Sequence, residues 1–332
     1  MKTGVPLSMP VFFCSCLKIT AKHILHSILF RIFTANKFRQ NYRLMKKSLS
    51  LILTMLLCLS ASAQTAASEN TPDEKFHIFL CFGQSNMEGN ARIEQCDKEG
   101  VDERFMMMAA TDNPDMGRKK GNWYTAVPPR CRQNTGLTPV DYFGRTLVAN
   151  LPSDHRVGVI NVSIGGCKIE AFMSDSVASY VKTAPHWMIG MLKAYDDRPY
   201  DRLLEMARLA QRDGVISVIL IHQGESNTGD RTWPAKVKNV YASLIKDLGL
   251  NPAEVPLIAG EVVHSDHGGT CGSMNSIIST LPRTIPNAHV ISSKGCTVAK
   301  DMIHFDAEGY RTLGRRYAMQ MLFLMRNSIC IA

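Results

Sequence analysis

The sequence predicts an α/β protein, a three-layer α/β/α sandwich around a five-stranded parallel sheet of flavodoxin-like type. Two observations carry this. Five short apolar runs recur along the chain, and most are continuous rather than alternating, as strands covered on both faces must be. Helical patterns lie between them, and β–α alternation implies parallel strands joined by crossover helices. With 332 residues, 45% apolar and 20% charged, the chain can bury a sizeable core, which argues against intrinsic disorder.

Before the first run comes a segment of another kind. Lys and Arg number 38 against 29 Asp and Glu, a formal charge of +9. Nine of the basic residues, from Lys2 to Lys47, fall within positions 1–64, where there is no acidic residue. The remainder is neutral, so the excess does not point to a nucleic-acid partner. Met45-Lys46-Lys47, the apolar run Leu51 to Leu59 and the small residues Ser60 to Ala63 form a secretory signal peptide at 45–63, with cleavage after Ala63 and export of the mature protein. That run is about half the roughly 20 residues a membrane span needs, which disfavours a permanent anchor. Residues 1–44, upstream of a complete signal, read as an over-extended start.

The strands are expected at 76–82, 156–162, 215–221, 256–262 and 288–292, within one domain covering 70–330. The clearest helix is 201–213, capped by Asp201, with Leu203, Ala207 and Ala210 on one face and Gly214 as its stop. The stretch 90–136, rich in Met, Asn, Gly and Pro, reads as a long irregular insertion of the kind that builds sites. Seven cysteines follow the leader: Cys81, Cys96, Cys131, Cys167, Cys271, Cys296 and Cys330. Export permits disulfides, and Cys96 with Cys131 and Cys271 with Cys296 are the first pairs to expect, although spacing does not determine connectivity. Cys81, in an apolar run, reads as core.

In open α/β sheets ligands bind at the carboxyl ends of the strands. The first run ends in Gly83-Gln84-Ser85-Asn86-Met87-Glu88-Gly89, which matches neither a phosphate loop nor a dinucleotide fingerprint nor the GxSxG elbow. It leaves a serine at a tight strand-to-helix turn. The second run ends in Asn161-Val162-Ser163-Ile164-Gly165-Gly166, whose glycines permit close backbone approach, and the third in His222-Gln223-Gly224-Glu225-Ser226-Asn227. Near the C-terminus Asp301 precedes His304 by three residues, a spacing at which the carboxylate can hold Nδ1 and free Nε2 as a base. The following helix carries Tyr310, Leu313 and Tyr317 on its apolar face.

Taken together, GQSNMEG, SIGG, HQGES and DxxHF resemble the SGNH hydrolase superfamily, and within it the sialate O-acetylesterase-like branch of carbohydrate esterases that includes acetylxylan esterases. The resemblance runs from Phe76 to Tyr317. It implies Ser85 as nucleophile, His304 as general base and Asp301 as its orienting acid. It also implies an oxyanion hole from the Ser85 N–H, an N–H of Gly165 or Gly166, and the Gln223 side chain. The wider superfamily places an Asn where this sequence has Gln223, and Glu225 is an alternative partner for His304. The implied enzyme is a secreted, cofactor-free esterase acting on an acetylated sugar such as sialic acid or xylan.

Two other readings stay open at this stage. His264, Asp266 and His267 offer three ligands for a metal-dependent hydrolase, with His222 or His304 nearby, although their spacing defines no geometry. A secreted glycan-binding protein without turnover is the second. Trp123, Tyr124 and Trp187 are candidates for a sugar platform or for local core. The sequence carries no signal for oligomeric state.

Overall fold

Strand β1 (Asp73–Gly83) explains why its run is continuous. Ile78, Leu80 and Phe82 enter one core, while Phe79 and Cys81 enter another on the opposite face of the sheet. The computed structural model describes residues 71–329, together with Arg31 and Thr34. The expected signal peptide at 45–63 and Cys330 lie outside the described residues. One unit spans Asn70–Ala332.

The sheet has seven strands rather than five, in the order β3-β2-β4-β1-β5-β6-β7. The five expected runs are β1, β4 (Arg156–Ser163), β5 (Gly214–His222), β6 (Leu257–Gly260) and β7 (Ala288–Ile291), all parallel. Their order, second-first-third-fourth-fifth, is the flavodoxin-like one. Two short strands extend the edge beyond β4. These are β2 (Phe105–Met108), parallel to β4, and β3 (Trp123–Thr125), antiparallel to β2. Both come from the segment read as irregular, where Asn, Gly and Pro surround the short apolar runs.

Helices cover both faces. On one side α3 (Val177–Thr183), α4 (His186–Lys193), α5 (Pro199–Ala210) and α6 (Trp233–Asp247) contribute Val181, Met188, Leu203 and Val237. The other face is covered by α2 (Pro139–Asn150) and α7 (Ala307–Ile329), through Val140, Phe143, Leu313 and Tyr317. Helix α5 begins at Pro199 with Arg198 as its N-cap, so Asp201 lies inside the first turn and not at the cap. Gly214 does not stop that helix; it opens β5.

The expected disulfides are absent, and six cysteines among the described residues are free. Cys131 is buried against the Tyr195 hydroxyl (3.1 Å), whereas Cys96 is exposed beside Glu94 and Asp97. Cys271 lies near the Glu225 carbonyl and Cys296 beside Arg316. Among the described residues no helix is long and apolar enough to cross a membrane.

Register is what positions the site. Gly83, the last residue of β1, pairs with Ser163 of β4 and with His222 of β5. Three strand ends therefore finish at one level, and the segments that follow them meet at the switch point of the sheet.

Candidate active site

Ser85 is the first residue of a one-turn helix, α1 (Ser85–Glu88), directly after β1. The turn is sharp because Gly83 has φ 155°, and a Cβ there would fall 2.1 Å from the His222 carbonyl oxygen. Only glycine fits so close to β5. The Gln84 N–H donates to that same carbonyl at 3.1 Å, and the Ile164 N–H donates to the Gly83 carbonyl at 3.1 Å. The far end of α1 is tied by the Thr138 hydroxyl and the Asn161 amide, which donate to the Met87 carbonyl at 2.7 and 2.8 Å.

Ser85 Oγ lies 2.8 Å from His304 Nε2, and His304 Nδ1 lies 2.7 Å from Asp301 Oδ2. The Ile303 and His304 N–H groups both donate to Asp301 Oδ1 at 3.0 Å. Burial pushes the Asp301 carboxyl up, but the hydrogen bonds from His304 and Ile303 outweigh it and hold the group below the usual carboxylate range. An ionised acid on Nδ1 fixes the imidazole so that Nε2 can accept a proton from the serine.

Asn86, fully buried beside the serine, was not singled out by sequence reasoning. Its amide nitrogen donates to the Ile303 carbonyl at 3.0 Å and to Glu225 Oε1; its oxygen accepts from the Tyr310 hydroxyl at 2.7 Å and the Phe305 N–H at 3.4 Å. One amide thus binds both neighbours of His304 and sets the serine turn against the histidine loop.

Glu225 contacts Asn86, and its second carboxylate oxygen has no partner among the described residues. Burial raises its pKa, against the opposing Asn86 hydrogen bond and the His304 charge. His222 beneath it is fully buried, and desolvation lowers its pKa to about 3, so it is neutral. Of the two acids considered from sequence, Asp301 is the one on His304 Nδ1.

Gln223 does not reach the cavity. It is 1% exposed, its amide nitrogen donates to Gln84 Oε1, Cys167 O and Asn227 Oδ1, and its oxygen accepts from Trp233 Nε1. Two amides do line the cavity, Gln84 and Asn90, and Gln84 directly precedes the serine. The Gln84 oxygen is held by Gln223 and by the Ser226 N–H at 3.2 Å, while Gln84 Nε2 has no hydrogen-bond partner among the described residues. Glu88 was also missed. It accepts from the Gly165 N–H at 2.9 Å and pairs with Arg132, so Gly166 rather than Gly165 has the uncommitted N–H. Arg132 lies 44 residues from Glu88, a separation at which sequence gives no pairing signal.

The site opens into a cavity of about 410 Å³ bounded by Gln84, Ser85, Gly166, Trp187, Glu225 and His304. Of the three aromatic candidates, only Trp187 borders it. Trp123 donates to Asp213 and packs on Phe76, and the Tyr124 hydroxyl accepts from the Lys119 N–H.

The His264 segment assembles no metal centre. His264 Nδ1 is spent on Asp266, 3.0 Å away. Among the described residues the one compact ligand trio is Glu94, Cys96 and Asp97, and the Arg311 guanidinium already occupies it, 3.0 Å from Asp97.

A serine–imidazole–carboxylate relay at the switch point of a parallel sheet defines a class of hydrolase-like α/β proteins. Residues 75–323 match the family model described as carbohydrate esterase, sialic acid-specific acetylesterase, and the chain belongs to that family. It is therefore a carboxylic ester hydrolase, of a family that removes O-acetyl groups from sugars. The fold is similar to that of an Arabidopsis thaliana protein at 19% identity (TM-score 0.57, 74% of this chain and 98% of that one). It is also similar to NanS at 15% identity (TM-score 0.56, 77% and 99%). A carbohydrate acetylesterase from Xanthomonas citri matches at 17% identity (TM-score 0.51, 73% and 54%).

Proposed function

We propose that the protein is an exported serine esterase that removes O-acetyl groups from glycans, with O-acetylated sialic acid as the first substrate to test. The observation that carries this reading is the unbroken contact chain Ser85 Oγ, His304 Nε2, His304 Nδ1, Asp301 Oδ2, each step within hydrogen-bond reach. Ser85 gives its proton to His304 as Oγ attacks the acetyl carbonyl, and Asp301 stabilises the imidazolium. The oxyanion is held by the N–H groups of Ser85 and Gly166 and by Gln84 Nε2, with Gln223 acting through Gln84. His304 then protonates the departing sugar hydroxyl. Water, activated by the same imidazole, cleaves the acetyl-serine to acetate.

Family membership supports the sugar ester. An acidic sugar is supported by Arg92, which lines a neighbouring depression sharing Glu88 and Asn90 with the catalytic cavity and has no ion-pair partner among the described residues. Export rests on the basic, apolar and small-residue pattern of 45–63; N-terminal sequencing of the exported protein tests cleavage after Ala63.

The central test is Ser85→Ala. The variant should fold normally, fail to hydrolyse p-nitrophenyl acetate and resist labelling by a fluorophosphonate. Activity within tenfold of wild type would remove Ser85 as nucleophile.

A further inference from the structure

The catalytic cavity is not closed on its outer side. A second cavity of about 520 Å³ adjoins it, and Glu88, Trp187 and Met191 border both. Its volume falls in the range of roughly 300–1,000 Å³ typical of small-molecule sites. Between the two stands Trp187. The ring is 61% exposed although its helix, α4, buries the adjacent Met188 and also Leu192. Leaving so large an apolar surface in water has a cost of its own, and the ring is held in place by its approach to Gly166. That glycine has φ 67°, and a Cβ on it would come within 2.5 Å of the indole.

Besides the indole, the second cavity is lined by the polar residues Asp112, Gln133, Asn134 and Thr135. Asn134 is exposed and has no hydrogen-bond partner among the described residues. A cavity lined by an indole together with amides, a hydroxyl and a carboxylate suits a sugar ring, which has an apolar C–H face and a polar rim. Charge restricts the choice. Arg132 is neutralised by Glu88, and the remaining charge is that of Asp112, so the site disfavours an anion.

We propose that this second cavity is a subsite for an uncharged sugar glycosidically linked to the acetylated one, with Trp187 as its stacking platform. The enzyme then acts by preference on acetyl groups carried by glycosides rather than by free monosaccharides. The proposal rests on the esterase reading above and names the substrate class of that site.

Free and linked substrates are compared in pairs: 9-O-acetylated sialic acid against its sialyllactose form, and an acetylated methyl xyloside against acetylated xylobiose. For whichever pair is turned over, wild-type kcat/KM should be at least about tenfold higher on the linked member, equivalent to about 1.4 kcal/mol. Trp187→Ala should lose more on the linked member than on the free one, through KM, and Trp187→Phe should restore most of the difference. Asn134→Ala, which removes a side chain bonded to nothing in the protein, should show the same selective loss in smaller measure. Equal kcat/KM on both members, or equal losses in the variants, would overturn the subsite while leaving the esterase intact. Hydrolysis of p-nitrophenyl acetate with no turnover of either pair would overturn the subsite and the sugar assignment together. No hydrolysis of any ester would overturn the esterase reading itself.

Discussion

Glu225 and Asp301 are carboxylates near one imidazole that behave oppositely: hydrogen bonds outweigh burial at Asp301, and burial prevails at Glu225. Asp301 is half exposed and ionised, bonded to His304 Nδ1, whereas Glu225 is buried with its pKa raised. Asp301→Asn should therefore lower kcat by up to ~10⁴, the loss known when such an acid becomes an amide. Glu225→Gln should stay within tenfold of wild type; a larger loss there than at Asp301 would reverse the assignment. The same variant has a stability signature. Because the fold favours protonated Glu225, its contribution is present below the ordinary glutamate pKa and is lost as pH rises through the raised folded value. A glutamine mimics the neutral form, so the thermal stability of Glu225→Gln relative to wild type should increase as pH rises through that window. Parallel melting curves at all pH values would contradict this. Gln84→Ala should lower kcat by roughly 10² to 10³ with little change in KM, the usual effect of losing one oxyanion donor. Ser85, His304 and Asp301 were legible in the sequence because each sits in a local motif. That the Gln223 amide is spent inside the protein was not legible, since which acceptors an amide meets is decided by tertiary neighbours such as Cys167 and Asn227.

At the scale of elements, the segment between β1 and α2 is tied down by a charge pair as well as by apolar side chains such as Phe105 and Leu137. Arg130 Nη2 lies 2.7 Å from Asp141 Oδ1 with both side chains fully buried, and the guanidinium stacks on Phe105 of β2. Burial lowers the Arg130 pKa to about 10 and raises that of Asp141. Asp141 also completes the capping box of α2 with Thr138, whose hydroxyl holds the end of α1. Asp141→Ala should destabilise the protein by about 3–5 kcal/mol, because it leaves a buried guanidinium unpaired. Chemical denaturation measures it, and a loss below about 1 kcal/mol would mean that Arg130 finds another partner. The five expected strands were legible because their apolar runs are mostly continuous, as strands covered on both faces must be. Strands β2 and β3 were not, since Met106 to Met108 and Trp123 to Thr125 gain their order from pairing with β4 and with each other.

Across the whole molecule, the sheet and its last helix meet at a single crowded point. A Cβ on Gly260 of β6 would come 2.3 Å from the Tyr317 hydroxyl of α7 and 2.5 Å from His222 Nδ1. Gly260→Ala should cost about 1–3 kcal/mol by overpacking, and the melting temperature should fall by about 2–4 °C per kcal/mol for a domain of this size. An unchanged melting temperature would mean that α7 can shift outward freely. Residues 222 and 317 are 95 apart in sequence, so this junction had no local signal, although Tyr317 itself was read correctly as core. The same view of the molecule separates positions that evolution or a protein engineer can vary from those that are constrained. Gly166 carries both a proposed oxyanion donor and the seat of the Trp187 ring, so any side chain there would change rate and sugar choice together. One turn along α4, Gly190 borders the outer cavity and a Cβ on it meets nothing within 4 Å. On the proposed subsite, side chains at position 190 should reshape substrate range while turnover chemistry is left alone, which makes that glycine the natural site for a saturation library.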